Sequence, residues 1–445
     1  MVRIDKDVLI KYLIMTLGFM FIELLFIMSD NMMVHVAGMV CFSVLAVLLS
    51  GFDLIHPYTW FSTFFCLYSI GLPVLTYVGS RSLRASYTKE LMEIQLLAMF
   101  IVLFIISPKK VNYEIMNKED HSLNLGVFNK ILYVGLILIL LGGAFFLSRS
   151  GLGGKANIYA SGSSLLLALF RVPLILTMLY ALLIIYEWKS NKQVPIRTMV
   201  ITGISLFGIT IFSGERDFVF RFIIITAVFL FCIGKLKRSH IIMLAPIGVM
   251  ILILSDKYKY FFSTGIVNES SEGVIFKFFA GEFESASTNL QIVISQGMSN
   301  SLGIERYILD IASAFTTSIQ SVSSWFSDLF YRGRAVQYGF SIIGEGYVIG
   351  GVIGVVFISI VLGAMIKFFY KRLYKGTYWF ASYLYFITIV IYSIRMDLGT
   401  ILSAIVKQIG IVLIIVMIAE KISKKELGRG MHGETKERLL DSNHM

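Results

Sequence analysis

Residues 331–354 read YRGRAVQYGFSIIGEGYVIGGVIG, and the fold turns on how this stretch is read. Arg332 and Arg334 close a long polar loop, Glu345 sits between Gly344 and Gly346, and an uninterrupted apolar run follows to Met365. A helix of about 20 apolar residues crosses a hydrocarbon core of about 30 Å. The loop end therefore feeds two arginines and a glutamate straight into a membrane span.

Runs of this kind recur along the whole chain of 445 residues, of which 57% are hydrophobic and 15% charged. A soluble protein carries about 25% charged residues, so the class is an all-α polytopic membrane protein. About twelve transmembrane helices are expected: 8–28, 32–52, 57–78, 90–107, 127–148, 164–187, 195–213, 217–234, 240–255, 342–368, 377–394 and 399–419. The first is too long for a signal-peptide core and lacks a small-residue cleavage site, so it is kept as an uncleaved span. The organisation is spans one to nine over 1–255, a loop over 256–337, spans ten to twelve over 338–420 and a solvated tail over 421–445.

The formal net charge is +11, but the basic residues gather in short loops. Lys109, Lys110, Lys118, Lys189, Lys192, Lys235, Lys237, Arg238, Lys367, Lys371, Arg372 and Lys375 all fall on one side if the N-terminus is cytoplasmic. The positive-inside rule accounts for this pattern without a nucleic-acid partner. It makes the loop 256–337 extracytoplasmic. Phe276, Phe279 and Phe283, and Ile304, Ile308 and Ile311, match one face of a helix, so the loop is expected to fold as amphipathic helices on the outer membrane surface. Cys41, Cys66 and Cys232 lie in apolar runs without metal-ligand spacing, and neither a disulfide framework nor a metal site is expected.

A charge at mid-bilayer costs about 2.5–3.5 kcal/mol on insertion scales, so its depth is informative. Arg171 lies about 10 Å below the outer end of the sixth span and Lys407 about 12 Å into the twelfth. Arg216 stands at the tip between spans seven and eight, Arg221 one to two turns inward, and Arg395 at the outer end of the eleventh. With Arg332 and Arg334, seven cations favour one leaflet. Arg221 alone can be read as a side chain snorkelling to the headgroups, and Glu215 or Asp217 as a simple partner of Arg216. Taken together, clustered guanidinium groups suit a phosphate or pyrophosphate near the outer leaflet.

Glu345 admits two readings from its chemistry. Gly346, Gly350 and Gly354 at four-residue spacing suit close helix packing, whereas a carboxylate held beside cations suits a general base toward a sugar hydroxyl. Glu282, Glu284, Asp310 and Asp328 are the other acids available for that role. The long loop contains no histidine, and His35 near the outer face reads as structural.

Ser213-Gly214-Glu215-Arg216-Asp217, the stretch 339–354 around Glu345, and Arg395 together resemble the Wzy-type O-antigen (oligosaccharide repeat-unit) polymerase family. The resemblance covers nearly the whole chain through its span count and late outer loop. It implies a GT-C-like, metal-independent glycosyltransferase of the bacterial cytoplasmic membrane with its active site facing outward and no cofactor. Undecaprenyl-pyrophosphate-linked oligosaccharides would be joined into an O-antigen of lipopolysaccharide or a capsule-type polysaccharide. Such an enzyme works among membrane lipids, alongside a chain-length regulator and a flippase of the same pathway. The catalytic candidates are then Glu345 as base with Arg216 and Arg395 on the pyrophosphate, and Arg171, Arg221, Arg332, Arg334 and Lys407 bind substrate. An O-antigen ligase would share the fold and donor but typically uses a loop histidine. A lipid-linked-oligosaccharide flippase would show internal repeats and charges in both leaflets.

Overall fold

The computed structural model describes residues 6–79, 85–109, 125–150, 164–213, 215–240, 273–316, 319–332 and 339–421, with a few isolated positions between 243 and 253. All regular structure among them is helical. Helices α1 (Lys6–Met28), α2 (Met32–Ser50), α3 (Pro57–Tyr77) and α4 (Lys89–Ile106) form one group, and α5 (Leu125–Ser150), α6 (Ser164–Asn191), α7 (Ile196–Ser213) and α8 (Asp217–Cys232) a second. The loop supplies α9 (Val274–Phe278), which runs through a π turn (Phe279–Phe283) into α10 (Glu284–Ser295), then α11 (Glu305–Ser313) and α12 (Val322–Phe330). Three long elements follow: α13 (Ile342–Arg372), α14 (Thr377–Ser393), and α15 (Leu398–Ala404), which continues through a π turn (Ile405–Gly410).

Seven helices are long and apolar enough to cross a membrane, in the ranges Lys6–Met28, Met32–Ser50, Pro57–Tyr77, Gly126–Phe145, Arg171–Asn191, Ile342–Lys375 and Leu398–Lys421. Helices α4, α7, α8 and α14 stand at four more of the twelve expected places, and the expected span 240–255 lies almost wholly outside the described residues. Local sequence sets the helix starts. Asn31 accepts the Met33 N–H at 2.9 Å, His56 precedes Pro57 at the first turn of α3, and Asp397 accepts the Thr400 N–H at 2.8 Å. Each satisfies or removes an orphan N–H of the first turn.

Side-chain contacts fix which ends of the helices lie together. At one end Tyr186 donates to Glu420, Lys189 to Thr377, and Tyr383 to the Ile55 carbonyl. The loop helices, the α7–α8 tip and the α14–α15 turn occupy the other.

Two expectations need correction. The loop does not simply lie on a surface, because α10 is inserted into the bundle against α3, α4 and α13, with Ser287, Thr288, Asn289, Leu290 and Gln291 all buried. Its polar groups are spent on backbone: Ser287 Oγ accepts the Leu72 N–H at 2.9 Å and Gln291 Oε1 the Thr88 N–H at 3.1 Å. Of the two expected apolar faces, Ile308 and Ile311 of α11, with Ile304 just before it, are exposed, whereas Phe279 and Phe283 are buried.

The glycine spacing in α13 also has a different use. The helix is broken at Gly350 and Gly351, where Gly351 has φ +57° and ψ −143°. A Cβ on Gly354 would stand 2.0 Å from the Gly346 carbonyl oxygen. Residues eight apart in a straight helix are separated by about 12 Å, so the short arm 342–349 folds back on the long arm 352–372. The glycines pack this helix against itself.

Candidate functional site

The α14–α15 turn, 394–398, divides a cationic cluster from an acidic one. On the cationic side α8 brings Arg221 against α14. Arg221 is 3% exposed, its Nε donates to Asp217 Oδ2 at 2.8 Å, and its guanidinium carbon stands 5.5 Å from the ring centres of both Tyr385 and Tyr392. Its Nη1 is buried without a partner at hydrogen-bond geometry among the described residues. Arg395 lies 4.8 Å from the Tyr392 ring centre and within electrostatic reach of Asp217. Asp217 is thus paired with Arg221, one helical turn away.

Arg216 caps the start of α8 at the same tip and is half-buried. Tyr385 leads deeper, its hydroxyl 2.8 Å from the Leu174 carbonyl oxygen and 2.7 Å from Gln408 Oε1, able to donate to one of them at a time. Gln408 shares the π turn of α15 with Lys407, which lies within electrostatic reach of Arg171. Arg171 itself is exposed and Lys407 half-buried, so the depth of these two positions does not enclose them. A π turn is common where a helix carries a functional side chain. Five of the cations therefore share one half of the bundle. Arg332 stays at the surface and donates from Nε to the Asp328 carbonyl of its own helix at 3.2 Å. Arg334 lies outside the described residues.

On the acidic side three fully buried carboxyls converge: Asp310 of α11, Glu345 of the short arm of α13, and Asp397. Asp397 is saturated, since Oδ2 accepts the Ser323 N–H at 2.8 Å while Oδ1 accepts the Thr400 N–H at 2.8 Å and its hydroxyl at 2.6 Å. One carboxylate thereby caps α15 and ties down the start of α12. Glu345 Oε2 accepts the Leu398 N–H at 2.7 Å, and the Ile342 N–H donates to the Ile394 carbonyl at 3.3 Å. The short arm of α13 is thus bonded to both ends of the turn that carries Arg395.

Asp310 touches Glu345, and Arg306 Nε stands 3.5 Å from its Oδ1. Burial pushes the Asp310 carboxyl up to about 6, and Asp397 adds to this, against the charge of Arg306. Glu345 is 0% exposed, with both faces of its carboxyl occupied by the turn and by α11. In this arrangement Glu345 positions the turn, with the Leu398 N–H on Oε2 and Asp310 alongside.

Asn289 completes the surroundings. Its Nδ2 donates to the Gly339 carbonyl and its Oδ1 accepts the Tyr331 hydroxyl at 2.7 Å. Of these neighbours, Tyr385, Tyr392 and Asn289 were missing from the sequence expectations. The four-residue spacing of Asp217 and Arg221 was the one legible signal for the pairing found. Compared with protein-family models, curated proteins and solved structures, the chain gives no match.

Proposed function

We propose that the protein is a metal-independent, GT-C-like polymerase of undecaprenyl-pyrophosphate-linked oligosaccharide repeat units, acting at the outer face of a bacterial cytoplasmic membrane. The observation that carries this reading is the buried Arg221 guanidinium. Its Nε is fixed by Asp217 while Nη1 has no partner at hydrogen-bond geometry among the described residues, with Arg395 beside it and Arg216 at the same tip. An enclosed cation of this kind stabilises an anion far more than an exposed one does.

In the reaction, the acceptor hydroxyl attacks the anomeric carbon and gives up its proton to water, the bond from that carbon to the pyrophosphate oxygen breaks, and the departing lipid pyrophosphate gains negative charge. Arg221 and Arg395 stabilise that charge as it develops, which is where binding lowers the barrier. Arg216, Lys407 and Arg171 attract the lipid-linked anion from the same half of the bundle. Glu345 and Asp397 hold the turn under Arg395 and do not touch the sugar.

The decisive experiment supplies purified protein in chelator with purified lipid-linked repeat units. Chains longer than one unit are expected from the wild type, with loss of at least about a hundredfold for Arg221→Gln, the size of an effect from removing one charge-stabilising donor. Movement of the intact lipid-linked unit across a vesicle without chain growth would refute the polymerase reading.

A further inference from the structure

We propose that Asp310 and Glu345 hold one proton between them, and that this proton latches the loop helix α11 onto the α14–α15 turn. The inference stands on the packing and is independent of the polymerase reading.

The surrounding hydrogen bonds leave a specific deficit. Asp397 has three donors and Glu345 Oε2 has one, but Glu345 Oε1 and both Asp310 oxygens are buried without a donor at hydrogen-bond geometry. Two carboxylates in contact with nothing between them repel and remain unsolvated. A single proton on Glu345 Oε1 turns that contact into an O–H···O⁻ bond, satisfying one oxygen of each residue. The only cation on the pair among the described contacts is Arg306, at 3.5 Å from Asp310.

Every element packed on the pair supplies its own group. Helix α11 gives Arg306 and Tyr307, α13 gives Glu345, the turn gives Asp397, and α12 gives the neutral Ser323. Tyr307 faces both acids, and its hydroxyl donates to the Gly354 carbonyl at 3.3 Å. Helix α11 sits so close that a Cβ on Gly399 would stand 2.7 Å from Ser313 Oγ. The bridging bond therefore joins the extracytoplasmic loop to the segment that positions Arg395.

The sign follows from proton counting. Opening α11 returns Asp310 toward its ordinary value of 3.8, from about 6 when closed, and frees the shared proton. The closed form binds more protons, so it is favoured at low pH and weakens as pH rises. Asp310 alone accounts for weakening between about pH 4 and 6, and release of the bridging proton continues it above that, by up to about tenfold in the opening constant per pH unit.

The test is hydrogen exchange of peptides from 305–313 in the purified full chain between pH 6.5 and 8, expressed as protection factors so that intrinsic pH dependence is divided out. Wild-type protection is expected to fall at least about fivefold. Glu345→Gln supplies a permanent N–H toward Asp310 while keeping an acceptor for the Leu398 N–H, and its protection should be flat over this range. Asp310→Asn offers the same test from the other partner if Glu345→Gln does not fold. A flat wild-type profile, or an equal slope in both amide variants, overturns the proposal. Protection that depends on sodium rather than choline as the salt cation overturns it too, because a metal cation would then occupy the pair.

Discussion

Replacing Arg221 by methionine separates the structural share of the cationic cluster from its functional share. The substitution keeps most of the side-chain length and removes the guanidinium, leaving Asp217 with a side chain only 12% exposed and no Nε donor. Breaking one partner of a buried ion pair costs about 3–5 kcal/mol. Arg395 remains within electrostatic reach of Asp217, so the lower end, about 3 kcal/mol, applies. In a chain of this size that amounts to roughly 3–6 °C in the thermal midpoint of the detergent-solubilised protein. The double variant Arg221→Met/Asp217→Asn removes the stranded charge and should regain most of the loss, because neutral replacement of a buried pair is often nearly free. Chain extension should stay absent in both. A double variant that stays as unstable as the single one would refute the ion-pair account, and one that extends chains at the wild-type rate would refute Arg221 as the anion site.

Three further outcomes follow from the geometry. Asp397→Ala strips the cap of α15 and the tie to Ser323, three bonds to one buried carboxylate, and should cost about 3–5 kcal/mol in thermal or denaturant unfolding. Gly351→Ala forces a Cβ into a backbone with φ +57° and to within 2.6 Å of Ser299 Oγ. About 2–3 kcal/mol should be lost, with part recovered on adding Ser299→Gly. In a background lacking Cys41, Cys66 and Cys232, a cysteine at the exposed Ile308 should react with an impermeant thiol reagent from outside the cell and one at Lys237 should not. Reaction of both from the same side would invert the assignment of faces.

Several helices were legible because the long apolar run is bounded by a residue that ends or starts a helix for a chemical reason. Asn31, Pro57 and Asp397 do so here, and the observed ends 32–50, 57–77 and 377–393 lie within two residues of those read from the sequence. The inserted α10 was not read that way, since Ser287, Asn289 and Gln291 look like a solvated face until the backbone groups they satisfy are known. The cations at one end were visible from their depth, but not their grouping. Arg221 and Asp217 are one turn apart on a helix and so were within reach of sequence, whereas Tyr385 and Tyr392 arrive from α14, more than 160 residues further along. Glu345 shows the opposite difficulty, because flanking glycines suit a catalytic loop and a folded-back helix equally well.

That folded-back helix also sets a ruler across the bilayer. Taken as one rod, Ile342–Arg372 would run about 46 Å, well beyond the apolar thickness available to it. With the break at Gly350 and Gly351, only 352–372 needs to cross, and its length of about 32 Å matches the hydrocarbon core. Hydropathy adds both arms together because it has no sense of direction, and so counts the returning arm as extra depth. Measured from the break instead, the long arm begins at Val352, and the short arm 342–349 lies back along it rather than adding to its length.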